Sequence, residues 1–169
     1  MIELVPFTID HAGELISTIK DEKMLLQFAG PAYHFPLTKE QLEVDLSDEN
    51  RTLFRIIEKE TQNVIGHSQI FLKENSFLLG RILIWDENNR GKGFGKKIVQ
   101  KLLDYGFSHF DKQTGELNVY DWNKGAIECY KKVGFELDPN VTSKVNIDNE
   151  TWLSLNMKID KNTFELSKS

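Results

Sequence analysis

The segment between Ile82 and Leu103 constrains the chain more than any other stretch. A short apolar run ending at Trp85 predicts a strand, and the glycine-rich sequence RGKGFG then leads directly into an amphipathic helix pattern. Alternating glycines let backbone N–H groups approach a ligand closely, and a helix start offers unpaired N–H donors and a positive dipole end. The stretch is reinforced by four basic side chains, Arg90, Lys92, Lys96 and Lys97. It therefore predicts a site for phosphate or pyrophosphate.

The remaining pattern predicts an α+β fold with a central, mostly antiparallel sheet. The elements follow in the order strand, two helices, three-strand meander, helix, strand, helix and final hairpin. The second helix of the later pair should begin at Asn123 and stop at Gly134. With 169 residues, the chain suits one domain, which we place at residues 1–161, followed by a frayed tail at residues 162–169.

Bulk properties exclude several classes of protein. A net charge of −5 argues against general nucleic-acid binding and tolerates a cationic substrate. The single cysteine, Cys129, excludes an intrachain disulfide and suits a reducing cytoplasm. The pattern shows neither a signal peptide nor an apolar run of about 20 residues, so we expect a cytoplasmic protein without a membrane span. No residue cluster has metal-ligand spacing, and we expect no metal.

Two common phosphate-binding motifs fit the glycine loop poorly. A P-loop requires more residues between its glycines and a hydroxyl where Lys97 stands. A dinucleotide fingerprint begins well at Gly91 and Gly93, but Lys96 occupies its third glycine position. A nucleotide-binding protein therefore remains only a distant alternative.

A third pattern, R-x-x-G-x-G from Arg90 through Gly95, resembles the acyl-CoA-binding signature of the GNAT N-acetyltransferases. A second matching block follows in NKGAIECYKKVGFE, with Asn123, Ala126 and Tyr130 at the family's spacing. The segment FAGPAYHFPLTKEQ also resembles the ribosomal-protein N-terminal acetyltransferase branch. Two blocks in the correct order make the resemblance to the family specific, whereas one glycine loop would not.

The resemblance implies a sheet of about six or seven strands with about four helices, splayed near residues 80–85 and 116–120. It implies acetyl-CoA as cosubstrate, with its pyrophosphate on the RGKGFG loop. The implied cofactor-binding residues are Trp85, Arg90, Gly91, Lys92, Gly93, Phe94, Gly95, Lys96 and Asn123. The Trp85 N–H would hold the thioester carbonyl, and Tyr130 would be the acid that protonates the departing thiolate.

The implied reaction moves the acetyl group directly to a primary amine of a small molecule or of a peptide or protein N-terminus. We expect no nucleic-acid or membrane partner, and a monomer or homodimer. A cofactor-binding module without turnover remains an alternative, because the general base is open. The base candidates are Glu74, Asp86, Glu87, Asp121, Glu116 and His67.

Several residues also have purely structural interpretations. Tyr130 and the Trp85 indole could be core packing, Asn123 could be a helix cap, and Cys129 suits a small buried hydrophobe. The aromatic loop at residues 27–37 could line a substrate mouth or pack onto the core.

Overall fold

The structure, a computed structural model, describes residues 1–86, 89 and 91–168. Within these residues it has seven strands: β1 Ile2–Pro6, β2 Arg51–Glu58, β3 Val64–Leu72, β4 Phe77–Ile84, β5 Thr114–Tyr120, β6 Glu136–Ile147 and β7 Glu150–Asp160. The helices are α1 Ala12–Thr18, α2 Glu22–Ala29, α3 Lys39–Ser47, α4 Phe94–His109, α5 Lys124–Val133 and α6 Lys161–Ser167.

The strands are ordered β1-β2-β3-β4-β5-β7-β6 in one sheet. The pairs β1–β2, β2–β3, β5–β7 and β6–β7 are antiparallel, and β4–β5 is parallel. The parallel register covers only Phe77↔Gly115 to Leu79↔Leu117, although β4 continues to Ile84 and β5 to Tyr120. The predicted α+β class with a mostly antiparallel sheet is confirmed, with more helices than the sequence indicated.

One compact unit comprises residues 1–71 and 80–91. Its core includes Leu15 and Leu42, each fully buried, together with Phe28. The sequence pattern missed α2, which starts where the Asp21 side chain accepts a 2.7 Å hydrogen bond from the Met24 N–H. Asp21 is a typical N-cap residue, and it separates α2 from the shorter α1.

The aromatic loop belongs mostly to this core. Phe28 and Tyr33 are buried, whereas Phe35 is exposed. For the first two side chains the packing interpretation is therefore correct. Gln41 joins the loop to α3, because its side chain accepts from the His34 N–H at 2.7 Å and donates to the Pro36 carbonyl at 3.2 Å.

The other unit comprises residues 72–79 and the chain from residue 92 onward. The apolar face of α4 packs on β4, and Gly106 permits this because a Cβ there would lie 2.3 Å from the Phe77 ring. The predicted frayed tail is wrong for residues 162–167, which belong to α6. Asp160 caps this helix, and Phe164 is 1% exposed with its ring centroid 5.7 Å from that of Phe107. Burial of one large aromatic side chain stabilises a terminal turn that sequence polarity alone disfavours. Among the described helices, none is long and apolar enough to cross a membrane.

Candidate functional site

The glycine loop adopts a backbone conformation that only glycine takes easily. Gly91 has φ 79° and Gly93 has φ 81°, both in the left-handed region. A Cβ added at either position would meet no atom within 4 Å. The backbone conformation, rather than packing, therefore requires glycine here, and the space beside both α-carbons is open to a ligand. Arg90, also predicted in this loop, lies outside the described residues.

Helix α4 begins immediately after this turn and presents its start to solvent. Gly93 is the N-cap and supplies no capping side chain, so the first-turn N–H groups, including those of Phe94, Gly95 and Lys96, have no acceptor inside the helix. The first turn carries no acidic residue, and Lys92, Lys96 and Lys97 are exposed. Phe94 is 8% exposed, so it can offer a ligand only its backbone. These features suit an anionic ligand at the helix start.

Helix α5 lies beside this turn. A Cβ at Gly95 would sit 3.8 Å from the Cys129 Sγ atom. Burial raises the pKa of the Cys129 thiol, an effect partly opposed by the nearby charges of Lys132 and Lys96. The thiol therefore stays protonated at neutral pH, which agrees with a packing role and disfavours a nucleophilic one.

The next residue along α5, Tyr130, is the predicted acid. Its ring is half-buried and meets the Phe135 ring edge to face, with centroids 6.2 Å apart. Burial, with a smaller contribution from Cys129, raises the pKa of Tyr130 to about 12. Among the described residues its hydroxyl has no hydrogen-bond partner. The phenol therefore keeps its proton at neutral pH, and that proton is not committed to a described neighbour.

Asn123 caps α5, as the sequence suggested. Its Oδ1 accepts a 3.3 Å hydrogen bond from the Ala126 N–H. This bond uses the carbonyl end of the side-chain amide and leaves its NH2 group for other partners. Capping and cofactor contact are compatible on these grounds.

The Trp85 amide does not have the geometry predicted for it. Its N–H donates to the Ile65 carbonyl at 2.8 Å. A single N–H engaged with a carbonyl is not aimed at a thioester oxygen, so the predicted oxyanion role of this amide is not supported. The indole is partly buried against the core of the first unit, which agrees with the packing interpretation.

Two of the base candidates are poorly suited to the role. His67 is 0% exposed, lies between the rings of Phe7 and Phe28, and has its pKa lowered to about 3 by burial. Glu116 is buried and accepts hydrogen bonds from Ser76 at 2.5 Å and from Lys73 at 3.0 Å. Burial opposes its ionisation, but these bonds outweigh it and lower the pKa of Glu116. A weakly basic carboxylate with committed partners is a structural group.

The other base candidates differ in exposure. Glu74 and Asp86 are exposed, and Asp121 is half-buried with its N–H bonded to the Leu153 carbonyl at 2.9 Å. Glu87 lies outside the described residues. The part of the chain that the structure describes holds no group of three or more His, Cys, Asp or Glu side chains arranged for a metal ion.

The first unit holds a buried polar cluster that the sequence pattern does not predict. Arg81 donates to Asp45, to the Tyr33 hydroxyl at 2.9 Å and to the Gln69 side chain at 3.1 Å. The Tyr33 hydroxyl also donates to Asp45, and burial raises the pKa of Tyr33 to about 12. Arg81 has φ 50°, a left-handed conformation within β4. This cluster joins α3 to β4. Its members lie far apart in the sequence, so no local pattern indicates it.

The second unit holds an aromatic group that was likewise not predicted, formed by Tyr120, Trp122 and Trp152. The Trp122 and Trp152 ring centroids are 5.1 Å apart. The run Tyr120-Asp121-Trp122, directly before Asn123, was a usable signal. The contribution of Trp152 required the strand register.

The chain is similar to known acetyltransferases in sequence and in fold. The description of the matching family is "Acetyltransferase (GNAT) family", and the match covers residues 20–135. An N-acetyltransferase 9-like protein from Nematostella vectensis is 24% identical over 96% of this chain and 84% of its own length.

Two solved structures share the fold. One is a spermidine N-acetyltransferase from Vibrio cholerae in complex with CoA and spermine, with TM-score 0.80 and 18% identity over 97% of this chain and 98% of that chain. The other is an aminoglycoside acetyltransferase in complex with coenzyme A, with TM-score 0.78 and 20% identity over 100% of both chains.

The family match spans both motif blocks and the elements between them. The family binds acetyl-CoA, and the exposed, basic start of α4 is suited to that anionic cosubstrate. The chain therefore belongs to the GNAT family, and it is an acetyl-CoA-dependent N-acetyltransferase that transfers the acetyl group to amines.

Proposed function

We propose that acetyl-CoA binds with its pyrophosphate on the first turn of α4. We further propose that Tyr130 donates a hydrogen bond to the thioester sulfur as it departs. The observation that carries this proposal is the closeness of Gly95 to Cys129, the residue before Tyr130, since a Cβ added at Gly95 would lie 3.8 Å from the Cys129 Sγ atom. It brings the anion-binding turn next to the helix that carries the predicted acid. Gly91, Lys92, Gly93, Phe94, Gly95 and Lys96 supply the backbone of the cradle, and Asn123 contacts the cofactor through its side-chain NH2.

The raised pKa of Tyr130 defines what this phenol does. A thiol has a pKa of about 8.5. The Tyr130 phenol, with a pKa of about 12, is therefore a weaker acid than the thiol that proton transfer would form. Full proton transfer before the C–S bond breaks is therefore unfavourable. Tyr130 instead donates a hydrogen bond to the sulfur as negative charge develops there, and the released thiolate takes its proton from solvent.

The reaction proceeds by direct attack. The neutral amine nitrogen forms a bond to the thioester carbon, the C–S bond then breaks, and the amine proton passes to water or to a carboxylate. Among the described base candidates, Glu74, Asp86 and Asp121 remain, because His67 and Glu116 are committed to structural contacts. Solvent relay is favoured because two of these three side chains are exposed.

We infer that the acceptor is a small cationic amine. Two structural relatives are named for spermidine and for aminoglycosides, both polyamines in the chemical sense. The net charge of −5 favours encounter with such cations. A peptide or protein N-terminus, suggested by the resemblance of residues 28–41 to the ribosomal-protein branch, is the alternative acceptor.

The test has two independent steps. Isothermal titration with acetyl-CoA measures cofactor binding, and thiol release is then followed with spermidine, an aminoglycoside and an N-terminal serine peptide. We expect release with the small polycations and none with the peptide. Release with the peptide alone would overturn the acceptor assignment. Cofactor binding without release from any amine would identify a binding module instead.

The proposal also covers the domain boundaries, the location and the oligomeric state. We assign residues 1–161 to one catalytic domain, with α6 packed on its end. The single cysteine favours a cytoplasmic location. The working form is a monomer or homodimer, which sedimentation would decide.

A further inference from the structure

The second unit carries an open recess of about 510 Å³ lined by Trp122, Glu150, Thr151 and Trp152. It lies where β7 begins and where the chain leaves β5 for α5. Trp122 is 42% exposed, which is unusual for the largest apolar side chain. Trp152 lies beneath it and is 9% exposed.

Aromatic contacts hold the walls of this recess in place. The Trp122 and Trp152 rings meet at 63° with centroids 5.1 Å apart. Tyr120 stacks on Trp122 at 6.2 Å and meets Trp152 edge to face at 5.0 Å. The Trp152 indole N–H donates to Glu150 Oε2 at 3.1 Å, so the carboxylate is oriented by the same side chain that forms the wall.

The combination of ring faces and a carboxylate selects a class of ligand. An aromatic face attracts cations through its quadrupole, and tryptophan does so most strongly. Glu150 adds a full negative charge at the wall of the recess, where the Trp152 indole N–H donates to it. A negatively charged ligand is therefore disfavoured here.

We propose that this recess binds an alkylammonium group of a di- or polyamine. The inference rests on the proposed acceptor class and deepens it, since one ammonium is held here while another amine of the same molecule is acetylated. Trp122 directly precedes Asn123, so their α-carbons are about 3.8 Å apart. The recess is thus joined to the predicted cofactor contact by one peptide bond.

The experiment titrates putrescine into the protein without acetyl-CoA and follows the indole N–H signals of the three tryptophans by heteronuclear NMR. We expect the Trp122 and Trp152 signals to shift in a saturable way and the Trp85 signal to stay. Butanediol, which has the same carbon chain without charge, should shift none of them. Equal shifts with the diol, or no shift with putrescine, would overturn the proposal.

Three variants sharpen the test. Trp122→Leu removes the ring face but keeps an apolar side chain, and Glu150→Gln removes the charge but can still accept from the Trp152 indole. Each should weaken putrescine binding by about 3- to 30-fold, the range expected from a cation–π contact or an ion pair with an ammonium. Asp148→Asn removes a charge from the same hairpin at a residue with φ 46°, which asparagine tolerates. It should leave the affinity within about twofold, and an equal loss in this control would contradict a local site.

Two further readouts separate competing outcomes. If putrescine instead doubled the sedimenting mass, the recess would be a contact between copies of the chain and the proposal would be wrong. Titration of acetyl-CoA into the same samples is independent of the recess. If the protein binds putrescine but not acetyl-CoA, the proposed function is wrong and the ammonium site is still supported.

Discussion

Replacing Tyr130 by phenylalanine removes the hydroxyl and little else. The ring keeps its contact with Phe135, and the lost oxygen has no hydrogen-bond partner among the described residues. We therefore expect the melting temperature to stay the same or to rise slightly, because a half-buried hydroxyl without a described partner disappears. The affinity for acetyl-CoA should stay within about twofold, since the hydroxyl bond strengthens only as charge develops on sulfur.

The expected loss of activity follows from the chemistry of the donor. A hydrogen bond to a charged acceptor contributes about 1.5–3 kcal/mol, which corresponds to a decrease in kcat of about 10- to 150-fold. Full acid catalysis would give a larger loss, up to about 10,000-fold. The pKa near 12 favours the smaller range, because proton transfer to a thiolate is uphill.

The raised pKa also predicts a pH profile. With a pKa near 12, only about one hundredth of Tyr130 is ionised at pH 10, whereas an ordinary phenol would be half ionised there. The ratio of wild-type to Tyr130→Phe rates should therefore be constant from about pH 6 to about pH 10. A ratio that halves near pH 10 would show an unperturbed phenol.

The assay is thiol release from acetyl-CoA with a saturating amine, in parallel with isothermal titration of the cofactor. Tyr105→Phe is the matched control, because it removes a phenol hydroxyl from a different helix, α4, of the same unit. A Tyr130→Phe enzyme with activity within twofold of wild type would refute the assigned role.

Three other test substitutions, two of them with a control variant, address the remaining physical arguments. Gly93→Val should raise the Kd for acetyl-CoA at least about tenfold, because a side chain at this positive φ costs about 1–2 kcal/mol of backbone strain. Gly13→Ala, at an ordinary φ with open space, should leave the Kd unchanged, and calorimetry measures both values. Burial lowers the pKa of His67 from 6.5 to about 3 in the folded protein, so its contribution to stability is complete above about pH 6.5 and decreases as the pH falls. Urea unfolding should show that the free energy of unfolding decreases by about 2 kcal/mol between about pH 6.5 and pH 5, and by less in His67→Gln. Asp45→Asn should lower the unfolding free energy by about 3–5 kcal/mol, because it leaves a buried guanidinium without its counter-charge, while Asp48→Asn should change it by less than about 1 kcal/mol. A stable Asp45→Asn protein would contradict the buried pair.

Local signals in the sequence predicted the parts of the fold that depend on short-range chemistry. The cap at Asn123 is formed as expected, with its side chain accepting from the Ala126 N–H. The left-handed turn at Gly93 and the start of α4 also follow from neighbouring residues. These features depend on three or four consecutive residues, which a single sequence displays directly.

The local sequence pattern did not predict two of the helices, α2 and α6. Asp21 and the short spacing after α1 concealed α2, and the polar surroundings of Phe164 suggested a frayed end instead of α6. In both cases tertiary burial outweighs the weak propensity of a short helix, because most helical stability in proteins comes from packing of the apolar face.

By itself, the sequence determined the family, the acetyl donor and the residues of the glycine loop, because closely spaced glycines, basic side chains and a helix start act through the local backbone. Tertiary structure alone decided which titratable groups are available. It removed His67 and Glu116 from the list of bases by burying them with partners, and it engaged the Trp85 amide with Ile65. It also brought Trp122 against Trp152 from another strand. Desolvation and strand register depend on residues far apart in the chain, and no local pattern records them.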